Sequence, residues 1–322
     1  MNNIKICSSG YYAPDNIVTN FDLEKIIDTS DEWITTRTGI KQRHISIDQN
    51  TSDLAYLAAK RAMDRVNVDP KLIRYIVVAT FTPDCITPST ACILQAKLGL
   101  NDSNVMAFDI NAACSGFEYA LKVTTKLLEE GEYALVIGAD VCSKVLDFSD
   151  RATCVLFGDG AGAMLLTNSP TSKRMFHYCA SKGDTEGFLR ANSLKLNSEY
   201  KQNLDFNHYL EMNGTEVFKF AVNAMEQSIE NVCKQANVAV EDLDYIIPHQ
   251  ANYRIISYVA KKMKIDINKF YINVAEYGNT SAGSIPLAYA RMDELNLLKE
   301  NMKIVLVGFG AGFTWAASYI EL

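Results

Sequence analysis

Three residues of this sequence combine chemically useful side chains with positions that suit a reaction centre. Cys114 lies in NAACSGF at 111–117, between a predicted strand and a predicted helix. A thiol at a helix N-terminus faces the positive end of the helix dipole, which favours the thiolate and lowers the pKa. This is the setting of a reactive cysteine. On this motif alone, however, a small buried residue in a tight turn is the commoner explanation.

His249 and Asn279 occupy similar junctions further along the chain. His249 lies in IPHQAN at 247–252, after a predicted strand, and ligands gather at the carboxyl ends of strands in open α/β sheets. A histidine there can act as a base or a hydrogen-bond donor near neutral pH. Asn279, in YGNTSAGS at 277–284, can donate to a developing oxyanion without becoming charged. A capping histidine and a loop asparagine remain the structural alternatives.

The elements that must position these residues alternate between strand-like and helix-like segments. Apolar, β-branched runs predict strands at 75–80, 105–110, 133–138, 160–166, 244–248, 270–274, 304–308 and 315–320. Periodic apolar positions predict helices at 90–98, from 115, over 255–263 and from 284. This alternation predicts an α/β fold with a largely buried sheet.

Matching strands recur at a nearly constant offset, which indicates an internal duplication. The offset is 170 residues from Tyr75 to Tyr245, 162 from Phe108 to Phe270 and 170 from Val136 to Leu306. We infer related halves at 1–170, carrying the cysteine, and 171–322, carrying the histidine and asparagine. Such halves would bring these residues to one central site, although chance alternation could imitate the pattern. The polar segment 169–206 is predicted to be an insertion with loops and a hairpin.

Composition limits the class of protein. The 322 residues are 48% hydrophobic and 21% charged, with no apolar run near the roughly 18 residues of a membrane span. We therefore expect no membrane segment, and a cytoplasmic location because the N-terminus lacks a secretory signal. The net charge of −7 argues against nucleic-acid binding. The eight scattered cysteines include no C-x-x-C pair, which favours reduced thiols.

Six motifs, taken in order, resemble the β-ketoacyl-acyl-carrier-protein synthase III (FabH-type) family. They are DEWITTRTG at 31–39, AACSGF at 112–117, FGDGAG at 157–162, PHQAN at 248–252, GNTSA at 278–282 and FGAGFTW at 309–315. Together they cover essentially the whole chain. The resemblance implies the thiolase fold, with duplicated α/β halves in a five-layer α-β-α-β-α arrangement. It also implies a homodimer, and neither a metal nor a cofactor apart from the coenzyme A thioester used as substrate.

The family's reaction assigns roles to residues of this chain. An acyl group, usually acetyl, passes from acyl-CoA to Cys114, and malonyl-ACP then loses carbon dioxide and attacks it to give 3-oxoacyl-ACP. This initiates type II fatty-acid synthesis. His249 and Asn279 would hydrogen-bond the malonyl thioester carbonyl. Phe309 matches a phenylalanine that presses on the leaving carboxylate, and core packing beside the Gly-rich turn is the structural alternative. The N–H of Ala311, where glycine is common, would be the second oxyanion donor beside that of Cys114, if the backbone there tolerates a side chain.

The resemblance also suggests binding residues. Trp33 and Arg151 match a pair that sandwiches the adenine of coenzyme A, as an indole and a guanidinium are suited to do. Arg37 and Asn252 match residues at the nucleotide phosphate and the pantetheine arm. Arg37 could equally pair with an acid of its own segment.

A basic surface is implied for acyl carrier protein, together with an open question about the primer. The matching basic residues are Lys219, Arg254, Lys261 and Lys262, which could steer an acidic partner despite the negative net charge. A solvated helix face is the alternative.

Thr87 lies where some relatives place a bulky residue of the dimer partner against the acyl pocket. A threonine there would admit longer or branched primers.

Other classes of protein remain as alternatives. A papain-like protease would fit the 135 residues between Cys114 and His249, but its local cysteine signature is absent. A related thiolase-fold ketosynthase or acyltransferase of a secondary-metabolite pathway is closer, and the basic surface argues against CoA-bound extenders. A binding protein of this fold should have lost one of the three site residues.

Overall fold

The computed structural model describes residues 3–192 and 207–322. The helices are α1 (Asn20–Leu23), α2 (Asp31–Thr38), α3 (Thr51–Asp64), α4 (Thr90–Lys97), α5 (Gly116–Leu127), α6 (Gly214–Ala236), α7 (Tyr253–Met263), α8 (Val274–Tyr277) and α9 (Ser284–Glu294). The strands are β1 (Ile4–Tyr12), β2 (Ile17–Thr19), β3 (Gln42–His44), β4 (Ile73–Ala79), β5 (Met106–Ile110), β6 (Tyr133–Asp140), β7 (Gly160–Asn168), β8 (Phe176–Ser181), β9 (Leu189–Ala191), β10 (Leu210–Met212), β11 (Tyr245–Pro248), β12 (Lys303–Gly310) and β13 (Thr314–Glu321).

Two main sheets share one topology over four strands each. The first has the order β1-β7-β6-β4-β5 and the second β8-β13-β12-β11. In the first, β4 runs parallel to β5 and β6, while β7 is antiparallel to β6 and β1. In the second, β11 and β12 are parallel, and β13 is antiparallel to β12 and β8. The repeated order is the layout expected of duplicated halves, and the division at residue 170 stays a prediction.

One predicted strand is wrong. Residues 270–274 were expected to repeat β5 beside β11, but Phe270 makes only a single parallel bridge, to Ile246. The side chain of Gln250 explains the difference, because it donates to the carbonyl of Tyr271 and accepts from the N–H of Asn273. These side-chain hydrogen bonds replace the pairing that a strand would make, and α8 follows at once.

Three apolar clusters show how the layers stack. Helices α5 and α9 lie between the sheets, where Phe117, Leu121 and Tyr289 belong to one buried cluster with strand residues of both sheets. Helices α3 and α4 cover the outer face of the first sheet. Helices α6 and α7 cover the outer face of the second. The order is therefore α-β-α-β-α, which confirms the predicted five-layer fold.

The segment at 169–206 is only partly described. Strand β8 joins the second sheet, and β9 pairs antiparallel with β10 in a separate two-stranded sheet. Residues 193–206 of the predicted insertion lie outside the described residues. No helix in the described part of the chain is both long and apolar enough to cross a membrane.

Candidate active site

Cys114 lies in a one-turn 3-10 helix between β5 and α5. The preceding residue, Ala113, has a φ of 47°, a left-handed conformation that is uncommon for alanine. Thr314 of β13 donates from Oγ1 to the carbonyl of Ala112 at 2.9 Å. Gly310 of β12 comes so close that a Cβ on it would lie 2.6 Å from the backbone nitrogen of Cys114. The second sheet thus fixes a loop that belongs to the first.

Burial controls the protonation of the Cys114 thiol. The residue is 7% exposed, and burial raises the pKa of the thiol to about 12. A hydrogen bond from Ser281 Oγ at 3.4 Å lowers the pKa, and the charge of Asp140 raises it. The expectation of a lowered pKa is wrong, because a helix dipole contributes at most about 2 kcal/mol whereas a rise of three pKa units corresponds to about 4 kcal/mol.

His249 follows β11 as a buried, neutral imidazole. Burial lowers its pKa to about 3. Its Nδ1 lies 2.6 Å from Ser284 Oγ, at the start of α9, so Nε2 is the ring nitrogen left for a substrate. The ring meets Phe309 edge to face, with centroids 5.2 Å apart. Ser284 and Phe309 together fix the position of the imidazole.

Asn279 is held by both its backbone and its side chain. Its backbone N–H donates to the carbonyl of Leu156, and its own carbonyl accepts from the N–H of Gly158. The side-chain Oδ1 accepts from the N–H of Ser281 at 2.9 Å. Because Oδ1 is engaged in this way, Nδ2 is the amide atom available to a ligand.

These three residues meet in one cavity. Cys114, His249, Asn279 and Phe309 line a space of about 120 Å³. The structure therefore brings together the residues for which the sequence predicts chemistry. At Asn252 and Phe218 the cavity adjoins an open cleft of about 560 Å³. The cleft is also lined by three cations, Arg37, Lys219 and Arg254.

A second, larger cavity adjoins Cys114. It measures about 590 Å³ and is lined mainly by apolar side chains, among them Phe81, Ile86, Leu189 and Leu210. Thr87 is exposed and does not line the cavity of its own chain. Its predicted role depends on a second copy and stays a prediction.

The Gly-rich turn between β12 and β13 accommodates Ala311 without strain. The positive φ of this turn, 136°, falls on Gly312, and Ala311 is not among the described residues with positive φ. Ala311 also lines the larger cavity beside Cys114. Alanine at this position therefore leaves the backbone free to present its N–H.

The predicted adenine sandwich is closed. Two arginines stack on Trp33. The guanidinium carbon of Arg151 lies 4.7 Å from the centroid of the indole ring, and that of Arg37 lies 4.8 Å from it. Arg37 forms no ion pair with the described acids. An adenine cannot fit between groups this close, so binding there requires Arg151 to move. Asn252, the N-cap of α7, donates from Nδ2 to the carbonyl of Arg37 and so joins this region to the cleft.

The predicted basic surface is only partly free. Arg254, Lys261 and Lys262 are all exposed on α7. Lys262 pairs with Glu226 at 2.6 Å, and Lys219 pairs with Glu216 at 2.7 Å. Among the described residues, Arg254 and Lys261 form no ion pair. Those two cations therefore carry most of the net positive charge of the surface.

Sequence reasoning missed three polar residues next to the site. Ser281 contacts Cys114, Ser284 contacts His249, and Asp140 lies behind Ser281 at the end of β6. Both serines fall within the segment that was singled out for Asn279. The signal for Asp140 was an acid at the carboxyl end of a strand in the parallel part of the sheet. No group of three or more metal-ligating side chains occurs in the described ranges.

The five-layer fold, with cysteine, histidine and asparagine around one buried cavity, defines a condensing enzyme of the thiolase-fold class. The family model described as 3-oxoacyl-[acyl-carrier-protein] synthase III matches residues 108–183, and the model of its C-terminal part matches residues 233–322. The chain is 49% identical to β-ketoacyl-[acyl-carrier-protein] synthase III of Clostridium novyi, over 100% of this chain and 99% of the relative. It is 47% identical to the enzyme of Clostridium acetobutylicum, with the same coverage.

Solved structures agree. The 3-oxoacyl-[acyl-carrier-protein] synthase III of Aquifex aeolicus superposes with a TM-score of 0.91 at 43% identity, covering 99% of this chain and 100% of that one. The chain belongs to the 3-oxoacyl-[acyl-carrier-protein] synthase III family, the acyltransferase-type condensing enzymes that initiate fatty-acid synthesis. This confirms the predicted class of enzyme and excludes the protease.

Proposed function

We propose that the protein condenses an acyl-CoA primer with malonyl-ACP through an acyl-Cys114 intermediate. One observation carries the proposal: Cys114, His249 and Asn279 line the same buried cavity, and a cation-lined cleft adjoins it. A thiolate attacks thioesters readily and is later displaced from one, as a two-step transfer requires. The first step releases coenzyme A as its thiol and leaves the acyl group on Sγ.

The second step needs donors for two oxyanions. Nε2 of His249 and Nδ2 of Asn279 donate to the malonyl thioester carbonyl while carbon dioxide leaves and an enolate forms, and Phe309 presses on the departing carboxylate. The carbanion then attacks the acyl carbon, whose oxygen is held by the backbone N–H groups of Cys114 and Ala311, and Cys114 leaves as a thiolate. Loss of one such donor costs on the order of 3 kcal/mol of transition-state stabilisation.

The charge state of His249 suits a donor better than a base. Burial lowers its pKa to about 3, so the imidazole stays neutral at physiological pH. If Ser284 donates to Nδ1, the ring proton lies on Nε2 and faces the substrate. A neutral donor stabilises the enolate without first having to release a proton.

Coenzyme A is proposed to bind along the cleft. Its adenine would lie between Trp33 and Arg151 after Arg151 moves, with its phosphates near Arg37 and its pantetheine arm passing Asn252. Acyl carrier protein would dock on Lys219, Arg254, Lys261 and Lys262. The two unpaired cations of α7 would contribute most to its attraction.

A homodimer, a longer primer and a cytoplasmic location complete the proposal. Strand β5 is the edge of the first sheet, and its Met106 is 56% exposed, as an edge awaiting a second copy would be. The cavity of about 590 Å³ exceeds what an acetyl group needs, and a partner's Thr87 would narrow it less than a bulky residue. All eight cysteines are free, as in a reducing compartment.

Intact-mass measurement tests the proposal. The protein is mixed with labelled acetyl-CoA and with longer and branched acyl-CoAs, and the adduct is weighed. Cys114→Ala should abolish the adduct, whereas Cys142→Ala, at another buried cysteine, should retain it. Acylation that survives Cys114→Ala would overturn the assignment. Thr87→Phe should shorten the accepted chain, and an unchanged chain-length profile would remove the primer argument.

A further inference from the structure

Asp140, at the end of β6, is a buried carboxylate directed toward the nucleophile. Its Oδ1 accepts hydrogen bonds from Thr80 Oγ1, from the N–H of Phe81, and from both the N–H and Oγ1 of Thr82, at 2.8–3.1 Å. Its Oδ2 accepts from the N–H of Ala282 at 3.1 Å. The first oxygen is therefore fully engaged, and the second faces the turn that contains Ser281.

The hydroxyl of Ser281 lies between this carboxylate and Cys114. Its oxygen is 3.4 Å from Sγ, and it lowers the pKa of the Asp140 carboxyl, whose Oδ2 accepts from the N–H of the next residue, Ala282. A hydroxyl carries one proton, so it cannot donate to both at once. When it donates to the carboxylate, its lone pairs are free to accept from the thiol. The backbone of Ser281, with a φ of 50°, holds it in this position.

We propose that Ser281 and Asp140 form a relay that removes the proton of Cys114 as the thiol attacks the primer. This inference rests on the proposed role of Cys114. The S–H proton moves to the Ser281 oxygen while the Ser281 proton moves to Asp140 Oδ2. The bond from Sγ to the acyl carbon forms, and the bond from that carbon to the sulfur of coenzyme A breaks. The proton returns through Ser281 to the departing sulfur, which is bonded to the same carbon in the tetrahedral intermediate.

The surroundings of the pair explain why a relay is needed. Burial raises the pKa of the thiol to about 12, and His249 is neutral with Nδ1 engaged by Ser284. Other titratable groups act on Asp140 or near it. They are Lys144, whose interaction with Asp140 is attractive, together with Asp159 and Cys142. Burial raises the pKa of the Asp140 carboxyl, which makes its ionised form a stronger proton acceptor, while the hydrogen bonds and Lys144 stabilise that ionised form.

A purely electrostatic role makes the opposite prediction. If the charge of Asp140 only repels a thiolate, then Asp140→Asn should make Cys114 more reactive. If Asp140 receives the proton, the same substitution should make it less reactive. The sign of the effect therefore separates the two roles.

The test is the pH dependence of iodoacetamide alkylation, followed by mass spectrometry of the Cys114 peptide. We expect Ser281→Gly, which suits the positive φ, and Asp140→Asn each to slow alkylation at pH 7 about 100-fold, the lower end for general-base assistance. The wild-type rate should level off below pH 9, whereas the variant rates keep rising about tenfold per pH unit toward the pKa of the thiol. Ser228→Ala removes a matched buried hydroxyl, on α6, and should match the wild type.

Faster alkylation of Asp140→Asn, or an unchanged rate in Ser281→Gly, would overturn the relay. If Asp140→Asn does not fold, the rate and pH profile of Ser281→Gly decide the question. Alkylation needs no acyl-CoA, so the result is independent of the proposed reaction. A wild-type protein that alkylates at Cys114 but never becomes acylated would instead refute the proposed function.

Discussion

We predict that Glu118 makes the stability of this protein fall as the pH rises. It lies on α5 between the two sheets, is 0% exposed, and neither of its carboxyl oxygens accepts a hydrogen bond from another described residue. Burial raises the pKa of this carboxyl well above its usual value, so the native protein holds it protonated. The unfolded chain releases that proton above pH 4.5. The contribution of Glu118 to the stability is therefore fully present below that pH and is lost as the pH rises toward the pKa of Glu118 in the native protein.

The magnitude follows from proton linkage. One proton bound only by the native state lowers the free energy of unfolding by about 1.4 kcal/mol per pH unit. Between pH 5.5 and 8, a carboxyl that stays protonated in the native state contributes a loss of about 3 kcal/mol. Glu118→Gln keeps the shape of the side chain and removes this loss. Any change that the amide itself makes to the free energy of unfolding is the same at both pH values and cancels in the comparison.

Urea denaturation at pH 5.5 and 8, at one fixed protein concentration, measures the effect. Wild type should lose about 3 kcal/mol more than Glu118→Gln between the two pH values. Glu230→Gln, at an exposed acid of α6, is the control and should behave as the wild type does. Equal losses in wild type and Glu118→Gln would refute the reasoning, because they would mean that Glu118 is ionised in the native state.

Three further predictions concern the site. Because burial lowers the pKa of His249 to about 3, condensation of malonyl-ACP should show no histidine inflection between pH 5 and 9, and an inflection that disappears in His249→Asn would contradict this. Gly310→Ala places a Cβ 2.6 Å from the nitrogen of Cys114 and should reduce acylation at least about tenfold, while Gly183→Ala, with no atom within 4 Å, should not. Lys261→Glu should raise the KM for malonyl-ACP several-fold at low salt and leave the KM for acyl-CoA unchanged. A rise in the KM for malonyl-ACP that does not depend on salt would argue against electrostatic steering.

The regular elements were predictable because their patterns are local. Apolar runs placed β4, β6 and β12, and a periodic stripe placed α5. The segment at 270–274 has the same composition as a strand, but a side chain distant in sequence, Gln250, takes its hydrogen bonds. Strand propensity carries no information about such a competitor.

The site was predictable in its reactive residues but not in what controls them. Cys114 and His249 follow β5 and β11, at strand–helix junctions that the pattern itself marks. Asn279 lies instead between α8 and α9, so its Gly-rich motif was informative but the strand predicted before it was not. The pKa of Cys114 was predicted in the wrong direction because a helix start is visible in the sequence and the depth of burial is not. Ser281 and Asp140 were missed for a related reason: 141 residues separate them, and only the packed sheets bring them together.

The central layer has a consequence for synthesis of the protein on the ribosome. Helix α9 lies at 284–294 and packs on β1 and β7, which are made much earlier. Until α9 has emerged, the inner face of the first sheet has no cover from it, and the nascent chain presents an apolar surface to chaperones and to other chains. The inner layer of the first half, which α5 covers only in part, is therefore completed by the second half. Cys114 is synthesised before His249 and Asn279, and its thiol becomes buried only when the two sheets pack together. In the nascent chain we therefore expect Cys114 to be an ordinary exposed thiol.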